Sequence, residues 1–376
     1  MDRGRKVSFR HLFRLTDRTG LLEHAHKLLP RRKEGYTADD NARALWAALA
    51  WSRELPDGEL RNALLERAEI YLAFLEWVSL PDGRFHNNIT YDGRPEEESP
   101  SDDLHGRVLW ALAWAERSFP QRPHRKLATE LLEHALGPVR RGEIRALRGM
   151  AYTLAALAYR GIRSAKERRA FDEMLAEFRA AVAAHAREGW TWFEPRLTYS
   201  NALLPWGLLA AYEVTGDREI RDIALAALDF LIRTMTDARR GIVRPVGNRG
   251  WGEPGKIARF DQQPVDVWKL AMATEKAYAL TRNPLYQETF ARAAAWFTGA
   301  NDLGVPLVDE EEGAAYDGLT PTGPNENAGA EATLSYLMTT YCAVRMAALT
   351  GRHFVLMPRG ESVFFAELEQ AGRRAL

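Results

Sequence analysis

Acidic, amide and cationic side chains recur in short clusters, each placed just ahead of an apolar run with helical spacing. Thr37-Ala38-Asp39-Asp40-Asn41-Ala42-Arg43 and Ser101-Asp102-Asp103-Leu104-His105-Gly106-Arg107 are the first two. Trp190-Thr191-Trp192-Phe193-Glu194 precedes Tyr199-Ser200-Asn201. Gly247-Asn248-Arg249-Gly250-Trp251 and Phe260-Asp261-Gln262-Gln263 form another group. The last is Tyr316-Asp317-Gly318 with Asn325-Glu326-Asn327 and, one turn later, Glu331. The stretch Arg140, Arg141, Glu143, Arg145 is the poorest of the set. Carboxyls gathered with amides, Arg and Trp suit cleavage of a glycosidic bond. One protonated carboxyl donates to the glycosidic oxygen, while a second activates water or acts as nucleophile. Asp40, Asp103, Asp261 and Glu331 are the leading acid/base candidates, with Glu194 next.

Sugar hydroxyls would be read by Asp39, Asn41, Arg43, His105, Arg107, Tyr199 and Asn201 from the earlier clusters. Asn248, Arg249, Gln262, Gln263, Asp317, Asn325 and Asn327 serve the later ones. Trp190, Trp192 and Trp251 fall in loops and are candidates to stack on a sugar ring, whereas Trp46, Trp110, Trp114 and Trp206 read as core. Capping explains single members equally well: Asp, Asn, Ser and Thr are favoured helix caps, Thr37 with Asp40 resembles a capping box, and Pro100 and Pro264 suit a first helical turn. Caps do not require Arg43, His105, Arg107, Trp192 or Trp251. Arg four residues after Asp39 or Asp103 also fits an ordinary ion pair along one helix face.

The elements that must position these residues are helices. Apolar residues recur three and four apart nearly throughout, and β-branched alternation is scarce. Twelve helices are predicted, over 10–28, 37–52, 59–78, 101–118, 124–139, 143–161, 165–186, 199–215, 217–234, 263–281, 284–298 and 328–350. The seventh carries a charged face (Lys166, Glu167, Arg168, Arg169, Asp172, Glu173, Glu177, Arg179) that belongs in water. The sixth and eighth are apolar nearly all round and belong inside. Loops entering the even helices are often long (79–100, 187–198, 235–262 and 299–327) and those leaving them short, and the even helices start near 37, 102, 143, 199, 263 and 328. Six hairpins at this spacing predict an all-α fold, an (α/α)6 barrel of the six-hairpin kind. An open solenoid is the alternative, but its end helices would need polar capping faces. In the barrel the even helices run parallel, so the polar clusters share one rim. Residues 1–376 are read as a single barrel domain with flexible ends at 1–8 and 359–376.

Composition removes other classes. Lys+Arg and Asp+Glu both number 51, so no net field would hold nucleic acid or an anionic membrane. The lone Cys342 leaves no disulfide and no Cys-based zinc site, and no segment approaches the roughly 20 apolar residues of a membrane helix. The basic Met1–Lys6 stretch leads into no signal-like apolar run. A cytoplasmic protein without metal or cofactor is expected. No phosphate-cradling or dinucleotide fingerprint is present. Asp39-Asp40 and Asp102-Asp103 do not extend into the acidic motifs of terpene cyclases. An epimerase would want proton-transfer groups such as His, and only His86 and His105 lie near the rim.

Asp39–Leu45 reads Asp-Asp-Asn-Ala-Arg-Ala-Leu, and with it the chain resembles a bacterial family carrying that signature. The likeness continues through Asp103–Arg107, Trp192-Phe193-Glu194, Leu197-Thr198-Tyr199, Gly247–Trp251, Phe260–Pro264, Tyr316–Leu319 and Gly329-Ala330-Glu331. Asn88-Ile89-Thr90-Tyr91 and Ala328 depart from its pattern. The family resembles the six-hairpin glycosidase superfamily, and its members occur alone or fused to glycosyltransferases. The resemblance implies a sugar context and a glycosyltransferase as partner. Together these readings predict cleavage of an oligosaccharide or glycoconjugate, by an inverting hydrolase or by a phosphorylase using Arg43, Arg107 and Arg249 for phosphate. The alternatives are a non-catalytic sugar-binding barrel and a sugar epimerase.

Overall fold

The computed structural model describes residues 6–97 and 101–367. Pro100, residues 1–5 and residues 368–376 therefore lie outside the described residues, and with them parts of the expected flexible ends. Twelve α-helices occur among the described residues. Six form an inner ring: α2 (Ala38–Glu54), α4 (Asp102–Ser118), α6 (Leu147–Arg160), α8 (Leu203–Thr215), α10 (Pro264–Thr281) and α12 (Ala330–Leu349). Each packs on the next, and α12 returns to α2, so the ring closes as an (α/α)6 barrel. Closure excludes the open solenoid. Outside lie α1 (Arg10–Leu15), α3 (Glu59–Trp77), α5 (Arg122–Arg140), α7 (Ala165–His185), α9 (Arg218–Thr234) and α11 (Pro284–Trp296). No helix among the described residues is long and apolar enough to cross a membrane.

The inner helices can crowd because small residues face one another. A methyl added at Gly106 on α4 would meet the Gly149 carbonyl oxygen of α6 at 2.5 Å, and one at Gly207 on α8 would meet that of Ala151 at 2.6 Å. Indoles fill the axis: Trp46 lies 5.4 Å from Trp110 and 5.5 Å from Trp268, and Trp110 lies 5.0 Å from Trp206. Trp46, Trp110, Trp114 and Trp206 are all buried, as expected of core.

Several predicted boundaries move for local reasons. The first helix stops at Leu15 because Asp17 accepts backbone N–H bonds from Thr19 and Gly20 and turns the chain. The sixth starts at Leu147, not near 143, because the Asp102 carboxylate holds the N–H groups of Arg145 and Ala146 in the preceding loop. Ser200, at φ +48°, delays α8 to Leu203. Glu167 does not join the exposed face of α7. It is buried, accepting from Arg140 at 2.6 Å and Arg160 at 3.2 Å. Strand Lys6–Ser8 and the hairpin Phe354–Arg359/Ser362–Glu367 form one antiparallel sheet. The described parts of both ends, 6–8 and 359–367, are thus built into structure.

Candidate active site

Hydrogen bonds and ion pairs tie the N-terminal ends of the inner helices together at one rim. The Arg43 guanidinium on α2 contacts Asp40 at 2.7 Å, Asp39 at 3.1 Å and Glu331 of α12 at 2.6 Å. Asp39 also pairs with Arg107 of α4. Tyr199, in the loop before α8, donates its hydroxyl to Asp103 of α4. Arg148 of α6 donates to the Tyr199 carbonyl at 2.7 Å and forks onto Glu194 at 3.0 and 3.2 Å. Backbone N–H of Asn201 donates to Asp266 of α10 at 3.3 Å. Loops complete the ring of groups. Asp317 accepts from Asn327 and from Gly329 N at 3.2 Å, and Asp261 lies beside Gly318 with its carboxylate 3.1 Å from Arg249.

Asp40, Arg43, Asp103, Arg107, Glu194, Tyr199, Asp261, Asp317, Asn327 and Glu331 therefore converge at this rim. Asn201 belongs to it as a brace: its amide accepts from Thr198 N and donates to the Thr198 carbonyl. Asn248, Arg249 and Trp251 reach the rim on the loop that pairs with Phe260 and Asp261, with Trp251 half-buried against the core. Gln263 stands at the cap position of α10 without a capping side-chain bond, and Asn325 accepts from Asn327 N.

Five expected site residues turn away. His105 is two residues from Asp103 and Arg107, hence on the other side of α4. Its Nε2 meets the Ala135 carbonyl at 2.9 Å, and burial holds its pKa down to about 4. Asn41 turns outward likewise, bonded to Leu21 N and the Thr37 carbonyl. Trp192 is buried against Phe193 and Phe230, and Trp190 with it, so neither can stack on a ligand. Gln262 spends its amide inside the protein, accepting from Trp296 Nε1 at 3.0 Å and donating to Asp302 at 2.6 Å.

Sequence reasoning missed Arg148, Asp266, Lys269, Tyr152 and Glu23, and also His24, whose Nδ1 meets the Asn327 amide nitrogen at 2.8 Å. The first three interrupt otherwise apolar helices, and only their burial in the fold marks them, because Asp, Lys and Arg are almost never fully buried unless paired. Asp266 is 1% exposed, and its Oδ2 has no partner. Burial, reinforced by the Glu331 charge, pushes its pKa up to about 7. Burial also raises Asp40, Asp103 and Asp317, opposed at Asp40 by Arg43 and at Asp103 by Tyr199. Glu23 rises to about 7 through burial and the charges of Asp40 and Glu331. The rim thus gathers several carboxyls whose protonated form burial favours, within reach of Arg43, Arg107 and Arg148. Such a set can deliver a proton and activate water. Among the described residues no three His, Cys, Asp or Glu side chains group as metal ligands.

A scan against family models and a search of curated proteins find no match. Solved structures do match along most of the chain. A sugar epimerase from a ruminal bacterium aligns with TM-score 0.68 at 14% identity, over 91% of this chain and 95% of that one. Cellobiose 2-epimerase from Spirochaeta thermophila gives 0.67 at 18% identity, over 90% and 92%. The glycoside hydrolase family 76 mannosidase Bt3792 from Bacteroides thetaiotaomicron gives 0.59 at 11% identity, over 90% and 95%. The shared fold is the (α/α)6 barrel.

Proposed function

We propose that this protein is a sugar-processing enzyme that cleaves a glycosidic bond in an oligosaccharide or glycoconjugate. One observation carries the reading: Asp266 is a buried carboxyl with a free Oδ2, set at the barrel mouth in the field of Glu331. Asp40 is equally enclosed, but Arg43 and Thr37 occupy its oxygens. Asp266 is therefore the proton donor to the leaving oxygen. Glu331, 38% exposed and oriented by Arg43, is the carboxylate that activates water, with Asp103, Asp261 and Glu194 positioned around the substrate. Asp39, Arg107, Asp317 and Asn327 read hydroxyls, and Trp251 supplies the aromatic face. The sugar-acting proteins that share the fold support this substrate class.

The test is an oligosaccharide panel, run with and without phosphate, followed by NMR of the anomer released. Asp266→Asn and Glu331→Gln should each lower turnover by roughly 10²–10⁴ while sugar affinity persists. Unchanged turnover in both would overturn the assignment. Turnover on no glycan despite binding would make the barrel a binding module. Epimerisation is the second reading, favoured by the two epimerases aligned above. Solvent deuterium fixed at a sugar carbon, with no bond cleaved, would establish it.

A further inference from the structure

We propose that Lys269 is a nucleophilic amine that captures the open-chain aldehyde of a reducing sugar as an imine. Lys269 lies on α10 one turn below Asp266, on the same side of the helix. It is wholly buried, and its Nζ has no hydrogen-bond partner. Three aromatic rings surround it instead: Trp268 at 3.0 Å, Tyr152 at 5.3 Å and Trp46 at 5.9 Å to the ring centroids. A lysine that merely braces the barrel looks different. Lys276, two turns on, pairs with Glu213 at 2.6 Å at the other end of the helix.

The groups that act on Nζ come from several of the inner helices around it. Arg43 on α2 and Arg107 on α4 repel an ammonium, whereas Glu331 and Cys342 on α12 favour it. Tyr152 faces it from α6, and Asp266 stands above it on α10. Burial and the two guanidinium groups prevail and hold the Lys269 pKa well down. Desolvation beside other cations is a physical route to a neutral, nucleophilic lysine.

Asp266 supplies the protons that imine formation needs. The Nζ lone pair forms the C–N bond while the carbonyl pair moves to oxygen, which takes the Asp266 proton. The nitrogen returns one proton to the Asp266 carboxylate, giving the carbinolamine. Asp266 then protonates the hydroxyl, the C–O bond breaks, and water leaves as the nitrogen pair forms C=N. The iminium retains its N–H proton opposite the Asp266 carboxylate. Such an iminium withdraws electrons from the adjacent carbon, so the reaction class extends to proton exchange next to the carbonyl. The sugar reading of the rim enters only in the identity of the aldehyde.

The experiment treats the full native chain with glycolaldehyde and cyanoborohydride at pH 6.5 and maps hydroxyethylated lysines by peptide mass spectrometry. Exposed Lys27 and Lys126 are controls. An unperturbed lysine is neutral to only about 1 part in 10⁴ at that pH. Lys269 should be labelled at least tenfold faster than either control, and Asp266→Asn should slow Lys269 alone. Labelling of Lys269 no faster than the controls would overturn the proposal. Because the assay uses a free aldehyde, labelling without glycoside turnover refutes cleavage alone, and turnover without labelling refutes the imine alone.

Discussion

Arg43 and Glu331 meet at 2.6 Å across the joint where the last inner helix returns to the first. The same guanidinium reaches back to Asp40 on its own helix at 2.7 Å. One side chain therefore closes the ring and orients two carboxyls at its mouth.

Removing that side chain should be costly. Arg43 and Asp40 are both nearly fully buried, and stripping one partner from a buried pair leaves an uncompensated charge, worth about 3–5 kcal/mol. Arg43→Met should lose that much in urea unfolding. Adding Asp40→Asn should restore part of it. Lys126→Ala, which breaks an exposed pair with Glu130, should change stability by less than about 1 kcal/mol. Equal losses for the buried and exposed variants would contradict this account of the joint.

Asp266 should impose a pH dependence of definite sign. Its carboxyl has an ordinary value of 3.8 and is raised to about 7 in the fold. Between those values the folded chain holds a proton that the unfolded chain has released, so this group's contribution falls as pH rises from about 4 to about 7 and then levels off. Asp266→Asn should flatten that part of the profile. Glu23, also raised to about 7, adds a slope of the same sign. Glycoside turnover should drop as pH climbs through about 7, because the proposed proton donor is lost. The measurement is unfolding free energy and turnover for both proteins from pH 5 to 8. Parallel stability curves would rule out a protonated Asp266.

Helices were legible in the sequence because burial on one side leaves a 3.6-residue period, and that period survives whatever the neighbours are. Which side of a rim helix faces the bore was legible too, in part. Asp39 and Arg43 share a face by spacing, as do Asp103 and Arg107. The same rule places Asn41 and His105 elsewhere. Trp192 was not legible. A loop indole that stacks on a ligand and one folded back under α9 have the same neighbours in sequence. Asp266 and Lys269 were hidden for the opposite reason: they interrupt an apolar helix, a pattern easily read as noise until tertiary structure shows both buried.

Gly149 should resist the smallest enlargement. A methyl there would sit 2.5 Å from the Asp102 carbonyl oxygen. Alanine normally gains about 1 kcal/mol over glycine inside a helix, but overpacking a tight core costs about 1–3 kcal/mol, and this contact is with backbone that cannot step aside. Gly149→Ala should therefore lower the melting temperature. It should also shift Arg148, next along α6, and weaken sugar binding. Gly58→Ala, where a methyl meets nothing within 4 Å, is the control. A Gly149 variant as stable as that control would show that α4 and α6 can separate freely.

Asp302 fixes the loop that carries Asp261 to the rim. Its buried carboxylate accepts from Arg244 at 2.7 and 2.8 Å, Arg259 at 2.8 Å and Gln262 at 2.6 Å. Burial alone would raise its pKa, yet these bonds prevail and hold it at about 2, below the ordinary 3.8. A depressed carboxyl stabilises the fold above its unfolded value, and that contribution fades as pH falls from about 4 through 2. At roughly 1.4 kcal/mol per pKa unit, Asp302→Asn should cost about 2 kcal/mol at pH 7. The gap from the native chain should narrow on acidification. Because Gln262 loses its anchor, the neighbouring Asp261 and Gln263 should move, and sugar affinity should fall by calorimetry even though Asp302 touches no ligand. Wild-type affinity in this variant would mean that the loop holds its place without the cluster, through its backbone bonds to Leu319, Asn248 and Arg249 and the Trp296 bond to Gln262.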